Sequence, residues 1–192
     1  MAAWEAIKTQ YVENTGISDL TFSSIPQTFQ HLKIILCAKT LKETSNWYES
    51  INVEIAGSSA FAAGGYNLTQ MYAVGGTTTV AGSTSINIAA PWSAMATSFA
   101  NARSASYGFS EIFFPDYTNS NVFHGYYCQS NTAVNDSTGG GTNYTTWNST
   151  NLNSNGATAA QKFAIEKIKL DPYGSNNYRQ GTMATLYGLK SS

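Results

Sequence analysis

Residues 21–40, TFSSIPQTFQHLKIILCAKT, decide the fold. They hold the most apolar segment of the chain, residues 32–38, and Ile25-Pro26 precedes it. Proline fixes its own φ and biases the residue before it away from helix, so the apolar segment follows a turn. With a period of two, one face of the segment carries Leu32, Ile34, Leu36 and Ala38. This alternation and the β-branched residues predict a strand. Because Ile35 and Cys37 leave its other face partly apolar, we expect a central core strand that is covered on both faces.

The composition combines an ordinary apolar content with very few charges. Of 192 residues, 42 % are apolar and 11 % are charged, and the net charge is -1. The charged share is less than half of the usual share of about 25 %. A chain with so little net charge is not expected to capture nucleic acid or an anionic membrane by electrostatic attraction. The apolar content is sufficient for the core of one domain.

The first ten residues, MAAWEAIKTQ, bear on where the protein is made. They lack both the basic region and the apolar region of a secretory signal peptide. No apolar run approaches the roughly 20 residues that are needed to span a bilayer. We therefore expect synthesis in the cytoplasm and no membrane partner.

Short alternating segments, separated by turns rich in glycine and asparagine, recur along the chain and predict strands. The predicted strands cover residues 4–12, 20–22, 32–38, 51–55, 66–71, 86–89, 110–114, 122–129 and 181–189. No segment has a convincing helical pattern. The fold class predicted is all-β, an antiparallel β-sandwich or jelly roll with long Gly/Ser/Thr/Asn-rich loops. Residues 1–19 are expected to form a strand or arm, and residues 20–192 a single domain.

A long neutral segment lies in the middle of the chain, because no charged residue occurs between Glu54 and Arg103. Such a segment is poorly solvated when it is left free. We therefore expect residues 56–102 to form a loop excursion that packs against another subunit. The candidate assembly contacts are Trp4, Tyr66, Met71 and Trp92.

A second loop excursion is predicted over residues 130–160, which are rich in Ser, Thr, Asn and Gly. Aromatic residues in this segment and in the polar residues 41–50 form a candidate contact surface for sugars. This surface consists of Trp47, Tyr48, Tyr144 and Trp147. The alternative is that these side chains fill the core or an oligomer interface, which is a common place for aromatics in a β-sandwich.

The sequence FAIEKIKL, residues 163–170, changes phase in its middle. Phe163 and Ile165 alternate on one face, but Ile168 and Leu170 fall on the other. One extra residue at Glu166-Lys167 would bring all four to the core, so we predict a β-bulge there.

Candidate catalytic and metal-binding residues are sparse. Only His31 and His124 are available for acid–base chemistry, and no G-x-S-x-G elbow accompanies them. Cys37 and Cys128 lack metal-ligand spacing and are expected to be buried thiols. Asn135-Asp136 offers one carboxylate, which makes a poor calcium loop, and no pair of carboxylates stands out for glycoside hydrolysis. We predict no catalytic residues, no cofactor, no metal and no enzyme activity.

Three groups of residues resemble the landmarks of a family of small tailed-phage virion proteins. Residues 22–32, FSSIPQTFQHL, resemble its F-x-x-I-P-Q-T-Y-x-x-L pattern, and residues 116–119, DYTN, resemble its D-Y-x-N turn. Residues 164–170, 178–182 and 186–189 read AIEKIKL, YRQGT and LYGL. They resemble the family's A-I-x-x-I-x-L … F-x-x-G-S … L-Y-G-I finish.

The resemblance runs from about residue 20 to about residue 190, but it is interrupted. Residues 55–105 lack the family's F-N-G-D … N-Y segment, of which Tyr66-Asn67 is a faint counterpart. The resemblance implies a jelly-roll-like, non-enzymatic particle component, often a trimer, on the capsid or in a fibre or tail appendage.

The first functional hypothesis is therefore a capsid decoration (cement) protein. It would bind the major capsid protein of the assembled shell, self-associate as a homotrimer and reside in the virion. The neutral segment 56–102 and residues 1–12 are its expected contacts. The alternative is a carbohydrate-binding tip or subunit of a tail or head fibre that contacts host surface glycans. An enzyme such as a depolymerase is the third possibility.

Overall fold

The computed structural model describes residues 3–42, 48–59, 61, 65–74, 80–88, 92–97, 107–135, 141–152, 162–174 and 176–190. Within these ranges the chain forms twelve strands and no helix. The strands are β1 (Trp4–Tyr11), β2 (Leu20–Phe22), β3 (His31–Ala38), β4 (Tyr48–Ala56), β5 (Tyr66–Val74), β6 (Val80–Ile88), β7 (Trp92–Thr97), β8 (Gly108–Phe114), β9 (Gly125–Asn135), β10 (Gly141–Leu152), β11 (Lys167–Pro172) and β12 (Met183–Leu189). In the described part of the chain, therefore, no helix is long and apolar enough to cross a membrane.

The strands form two antiparallel sheets that pack as a β-sandwich, as predicted. The larger sheet has eight strands in the order β1-β12-β3-β8-β9-β10-β5-β6, and the smaller sheet has four in the order β2-β11-β4-β7. One hydrophobic cluster takes side chains from both sheets. The strand pairs are nested along the chain: β1 pairs with β12, β2 with β11, β3 with β8 and β4 with β7.

The predicted core strand is confirmed as β3, which lies between β12 and β8. Its inward side chains Leu32, Ile34, Leu36 and Ala38 are fully buried. The expectation of cover on both faces is wrong for the described residues, because Ile35 and Cys37 on the other face are only half-buried. The larger sheet therefore has one face on the core and one face that is open.

Strand β4, predicted over residues 51–55, is buried on both faces although its apolar residues alternate with polar ones. It lies between β11 and β7, and the polar residues Asn52 and Glu54 are almost as inaccessible as their apolar neighbours. The Glu54 carboxylate pairs with the Lys169 ammonium at 2.6 Å. This ion pair satisfies a charge that would otherwise be costly to bury.

The two segments predicted to be loop excursions consist largely of strands. Residues 56–102 hold β5 and β6, near the strands predicted over 66–71 and 86–89, and also β7, which was not predicted. Residues 130–160 hold the end of β9 and all of β10. The polar composition of residues 130–160 suggested a loop, but small polar side chains of this segment line the inner face of the sheet. Ser130 donates to or accepts from Ser110 at 2.8 Å, and Thr146 is fully buried. Threonine suits a pleated, half-buried surface, and pairing on both sides makes β10 a strand.

The β-bulge predicted at Glu166-Lys167 is absent, because β11 begins only at Lys167. Ile165 precedes the strand and is nevertheless fully buried. Its N–H donates to the Tyr117 carbonyl at 2.8 Å, and the Glu166 N–H donates to the Ala56 carbonyl at 2.9 Å. The change of phase therefore occurs where the chain enters the sheet and not inside a strand.

A buried hydrogen-bond cluster, here called the Tyr117 corner, joins three connections between strands. The Tyr117 hydroxyl donates to the Pro26 carbonyl and accepts from the Phe29 N–H at 3.4 Å. The Gln27 side-chain amide donates to the Ile165 carbonyl at 3.0 Å. The corner thus holds the β2–β3, β8–β9 and β10–β11 connections at one end of the sandwich.

The end of β12 joins the same corner. The Gln30 N–H donates to the Leu189 carbonyl at 2.8 Å. The Phe29 ring lies directly over Gly188, where an added Cβ would come within 2.3 Å of the ring. Glycine is therefore required at residue 188 by close packing.

We expect Tyr117→Phe to lower the free energy of unfolding by about 1–3 kcal/mol, because it leaves buried backbone groups of the corner without their partner. Urea denaturation monitored by tryptophan fluorescence measures this change. Tyr127→Phe is the control, since Tyr127 is 59 % exposed. Equal unfolding midpoints for the two variants would contradict the role assigned to the corner.

Candidate functional site

The candidate site lies on the open face of the eight-stranded sheet, here called the outer face. Strand register places one row of side chains across five neighbouring strands: Ile35, Glu111, Gln129, Trp147 and Met71. The adjacent row consists of Lys33, Phe113, Tyr127, Ser149 and Thr69. Because side chains alternate along a strand, both rows point away from the core that Leu36 and Ile112 enter.

The two rows border a cleft of about 410 Å³, here called the Trp147 cleft. Its walls include Met71, Glu111, Phe113, Tyr127, Gln129 and Trp147. Tyr127, Met71 and Trp147 are 59 %, 49 % and 42 % exposed. Large apolar side chains this accessible, gathered around one concavity, are typical of a binding surface.

The charges at the edge of the cleft balance each other. The Lys33 ammonium lies 3.5 Å from the Glu111 carboxylate. It also lies 4.7 Å from the centre of the Trp4 ring, and Trp4 meets Phe113 edge to face at 6.3 Å. The edge is therefore a packed cation–aromatic group without a net charge.

The cleft contains two of the predicted residues, and a third lies beside it. Trp147 and Met71 line the cleft, and Trp4 packs against its Phe113 wall. Trp147 was expected in a loop but lies on β10. The backbone of β10 is paired on both sides, so the indole is presented from a rigid element.

The prediction that Tyr66 is an assembly contact is wrong. Tyr66 is fully buried, and its hydroxyl accepts from the Ile55 N–H at 3.1 Å. Burial raises the pKa of its phenol well above the usual range. The Tyr66 ring of the neutral segment therefore lies in the core between the two sheets.

Five other residues singled out from the sequence lie wholly or partly outside what the structure describes. Trp47 and Asp136 belong to undescribed ranges. Tyr48, Trp92 and Tyr144 lie on β4, β7 and β10, with only their strand positions described. Tyr48 belongs to the four-stranded sheet and Trp147 to the eight-stranded sheet, so the proposed sugar-contact set is divided between two sheets.

Sequence reasoning missed Glu111, Phe113, Tyr127 and Gln129 as site residues. Their alternation with buried neighbours predicts that they face outward. The pairing of β8, β9 and β10 that brings them beside Trp147 has no local signature, because each residue belongs to a different strand.

The titratable residues singled out from the sequence occupy structural positions. His31 Nδ1 accepts from the Asp116 N–H at 3.1 Å. His124 is buried, its Nε2 pairs with the Phe163 carbonyl, and burial lowers its pKa. Cys128 is a free thiol, and burial raises its pKa to about 12, so it stays protonated. Cys37 is also a free thiol but is only half-buried. Within the described ranges, no three His, Cys, Asp or Glu side chains are grouped to hold a metal ion.

Comparison of the chain with protein-family models, with curated proteins and with solved structures finds no match. The candidate site is therefore defined by geometry: an open sheet face, a cleft lined by aromatics and polar groups, and a balanced charge. Such a site can bind a partner or a ligand, and its exposed groups offer no activated nucleophile.

We expect His124 to make folding less stable in mild acid. Burial lowers its pKa below the ordinary 6.5, so the unfolded chain binds more protons as the pH falls through that value. Between about pH 7.5 and about pH 5.5, the melting temperature of the native chain should therefore fall by about 2 °C more than that of His124→Gln. Thermal denaturation at the two pH values tests this, and equal falls would contradict it.

Proposed function

We propose that this chain is a non-enzymatic structural protein of a tailed-phage virion, a decoration protein that binds the assembled capsid shell and stabilises it. The observation that carries the proposal is the outer face of the larger sheet. It holds most of the exposed large apolar side chains in the described part of the chain. A soluble protein that presents so many apolar groups on one face is suited to assembly.

The connectivity of the strands supports the jelly-roll fold that the sequence resemblance implies. In a jelly roll, a long folded hairpin is rolled into two sheets, so that pairs are nested from the termini inward. Here β1-β12-β3-β8 is one half of the roll and β2-β11-β4-β7 is the other. The remaining strands, β5, β6, β9 and β10, extend the first half. Strands β5 and β6 lie within residues 55–105, where the sequence departs from the family pattern.

The positions of the sequence landmarks give further support. The motifs around Pro26, Tyr117, Ile165 and Gly188 are far apart along the chain, and all of them meet at the Tyr117 corner. They are therefore residues that define the scaffold. A scaffold that resembles that of virion proteins favours the same class of function, whereas the contact surface depends on residues outside these motifs.

The attachment surface that we propose is an apolar row on the outer face, formed by Tyr11, Met183 and Phe109. Tyr11 pairs with Met183, Met183 pairs with Cys37, and Cys37 pairs with Phe109. The row crosses three strand spacings, about 14 Å. Its members are 54 %, 38 % and 44 % exposed in the order given. This surface includes the end of β1, in agreement with the expectation that residues 1–12 make contacts.

Self-association is part of the same proposal. Strand β6 ends the larger sheet, and its outer edge pairs with no other strand in the described ranges. The strand carries no charged residue, and a neutral edge is a surface that proteins normally cover. A neighbouring copy in a trimer would cover it.

The stabilising mechanism is mass action. A protein that binds the assembled shell and has no affinity for its dissociated subunits lowers the free energy of the shell. No covalent bond is made or broken, so the stabilisation of the shell depends only on the binding affinity and on the fraction of sites that are occupied.

The test is re-binding to phage capsids from which this protein has been stripped. We expect Phe109→Glu and Met183→Glu each to weaken binding by about tenfold or more, since each places a charge in an apolar contact. The heat resistance that the native chain restores to the capsid should fall in parallel. The matched control is Val122→Glu, because Val122 is as exposed as Met183, at 38 %, and lies in the β8–β9 connection.

Two results would contradict the proposal. Native protein that fails to bind stripped capsids, or that leaves their heat resistance unchanged, would exclude a decoration role. If Val122→Glu weakens binding as much as Phe109→Glu and Met183→Glu do, the apolar row is not the attachment surface. Circular dichroism of each variant verifies that the fold is retained.

A further inference from the structure

The Trp147 cleft has a chemistry that differs from that of the apolar row. Aromatic and thioether surfaces are exposed at Trp147, Tyr127 and Met71, while Gln129 and Glu111 supply polar atoms between them. Trp147 lies directly beside Gln129 on one side and Met71 on the other. The cleft therefore offers flat apolar surface and hydrogen-bonding groups within one cross-strand row.

We propose that the Trp147 cleft binds a neutral sugar, one or two rings of a glycan chain. A sugar ring has a face of C–H groups that packs on an indole, and a rim of hydroxyl groups that both donate and accept hydrogen bonds. Trp147 would be the platform for the ring face, with Met71 and Tyr127 as its walls. Gln129 would donate and accept at the rim, and Glu111 would accept.

The size of the cleft agrees with this ligand. Small-molecule sites in proteins are commonly about 300–1,000 Å³, and this cleft has about 410 Å³. Directly opposite residues on adjacent strands have Cβ atoms about 5 Å apart. A sugar ring that rests on Trp147 would therefore place some of its hydroxyl groups over Gln129 and others toward Glu111.

The charge of the cleft favours a neutral ligand. The Lys33 ammonium is engaged by the Glu111 carboxylate at 3.5 Å and by the Trp4 ring. A sulfated, phosphorylated or carboxylated ligand would compete with Glu111 for this cation and would meet the carboxylate at close range. A purely apolar ligand would cover the Gln129 amide without offering it a hydrogen-bond partner, which is costly.

The rigidity of the site also suits weak, repeated binding to a polymer. Trp147, Gln129 and Glu111 lie on strands that are paired on both sides, so little backbone ordering accompanies binding. The cleft lies on β8, β9, β10 and β5, whereas the apolar row reaches toward β1. Sugar binding is thus an activity beyond shell attachment, and it is proposed for the isolated chain.

The experiment uses the full chain and an array of neutral oligosaccharides, followed by titration of each bound oligosaccharide by isothermal calorimetry. We expect Trp147→Ala to weaken binding by about tenfold or more, because it removes the platform. Trp147→Phe should retain binding within about threefold, since a ring face remains. Gln129→Ala should weaken it as Trp147→Ala does. Tyr173→Ala is the control, because Tyr173 is an aromatic 53 % exposed that follows β11 of the smaller sheet and lies outside both surfaces.

A blank array at millimolar sugar and protein concentrations would overturn the proposal, and so would binding that Trp147→Ala leaves unchanged. Preferential binding of anionic glycans would overturn the ligand class. The titration needs no capsid, so a failure of capsid re-binding contradicts the decoration role and leaves the sugar result intact. Capsid re-binding and sugar binding are both measured for Phe109→Glu, a change in the apolar row. Comparison of the two results shows directly whether the two surfaces act separately.

Discussion

The buried residue Tyr117 is the constraint on which the rest of the structure depends. Its hydroxyl and carbonyl take up backbone groups of Pro26, Phe29 and Ile165, which belong to connections far apart in the chain. Pro26 and Phe29 lead into β3 of the larger sheet, and Ile165 leads into β11 of the smaller sheet. One residue, through its side-chain hydroxyl and its main-chain carbonyl, therefore fixes where strands of both sheets begin. Buried backbone groups need partners, so a shifted strand would leave several of them unsatisfied.

Fixing the start of β3 also fixes the surface of the protein. Leu32 and Ile34 must face the core, and strict alternation then turns Lys33 and Ile35 to the outer face. A slip of one residue in register would exchange the two faces of a strand. The composition of the outer face is therefore held by the core packing beneath it. Trp147 is 42 % exposed because Thr146 and Asn148 on either side of it are buried.

Sequence reasoning succeeded where apolar residues alternate with polar ones and failed where the buried residues are themselves polar. Strands β3 and β8 were predictable because Leu32, Ile34 and Ile112 mark the inward phase. Strand β10 was not, because its inward residues include Thr146 and Thr150, which have the composition of a loop. The prediction for Tyr66 was wrong for the converse reason. An aromatic residue in a neutral segment suits an interface or a core equally well. The hydrogen bonds of the Tyr66 hydroxyl with the Ile55 N–H and the Ile55 carbonyl hold it in the core.

The candidate site could be predicted only in part, since a cleft on a sheet depends on strand order. Glu111, Gln129 and Trp147 are adjacent because β8, β9 and β10 are consecutive in the sheet, and alternation alone gives only the direction of each side chain. The exposed parts of these aromatic and thioether side chains contribute nothing to the stability of the isolated chain through burial. Their concentration on one face, beside polar groups and without net charge, therefore requires a reason outside the folding of the chain. The apolar row proposed for a protein partner and the cleft proposed for a sugar occupy separate positions on this face, so the two proposed contacts do not compete for the same residues.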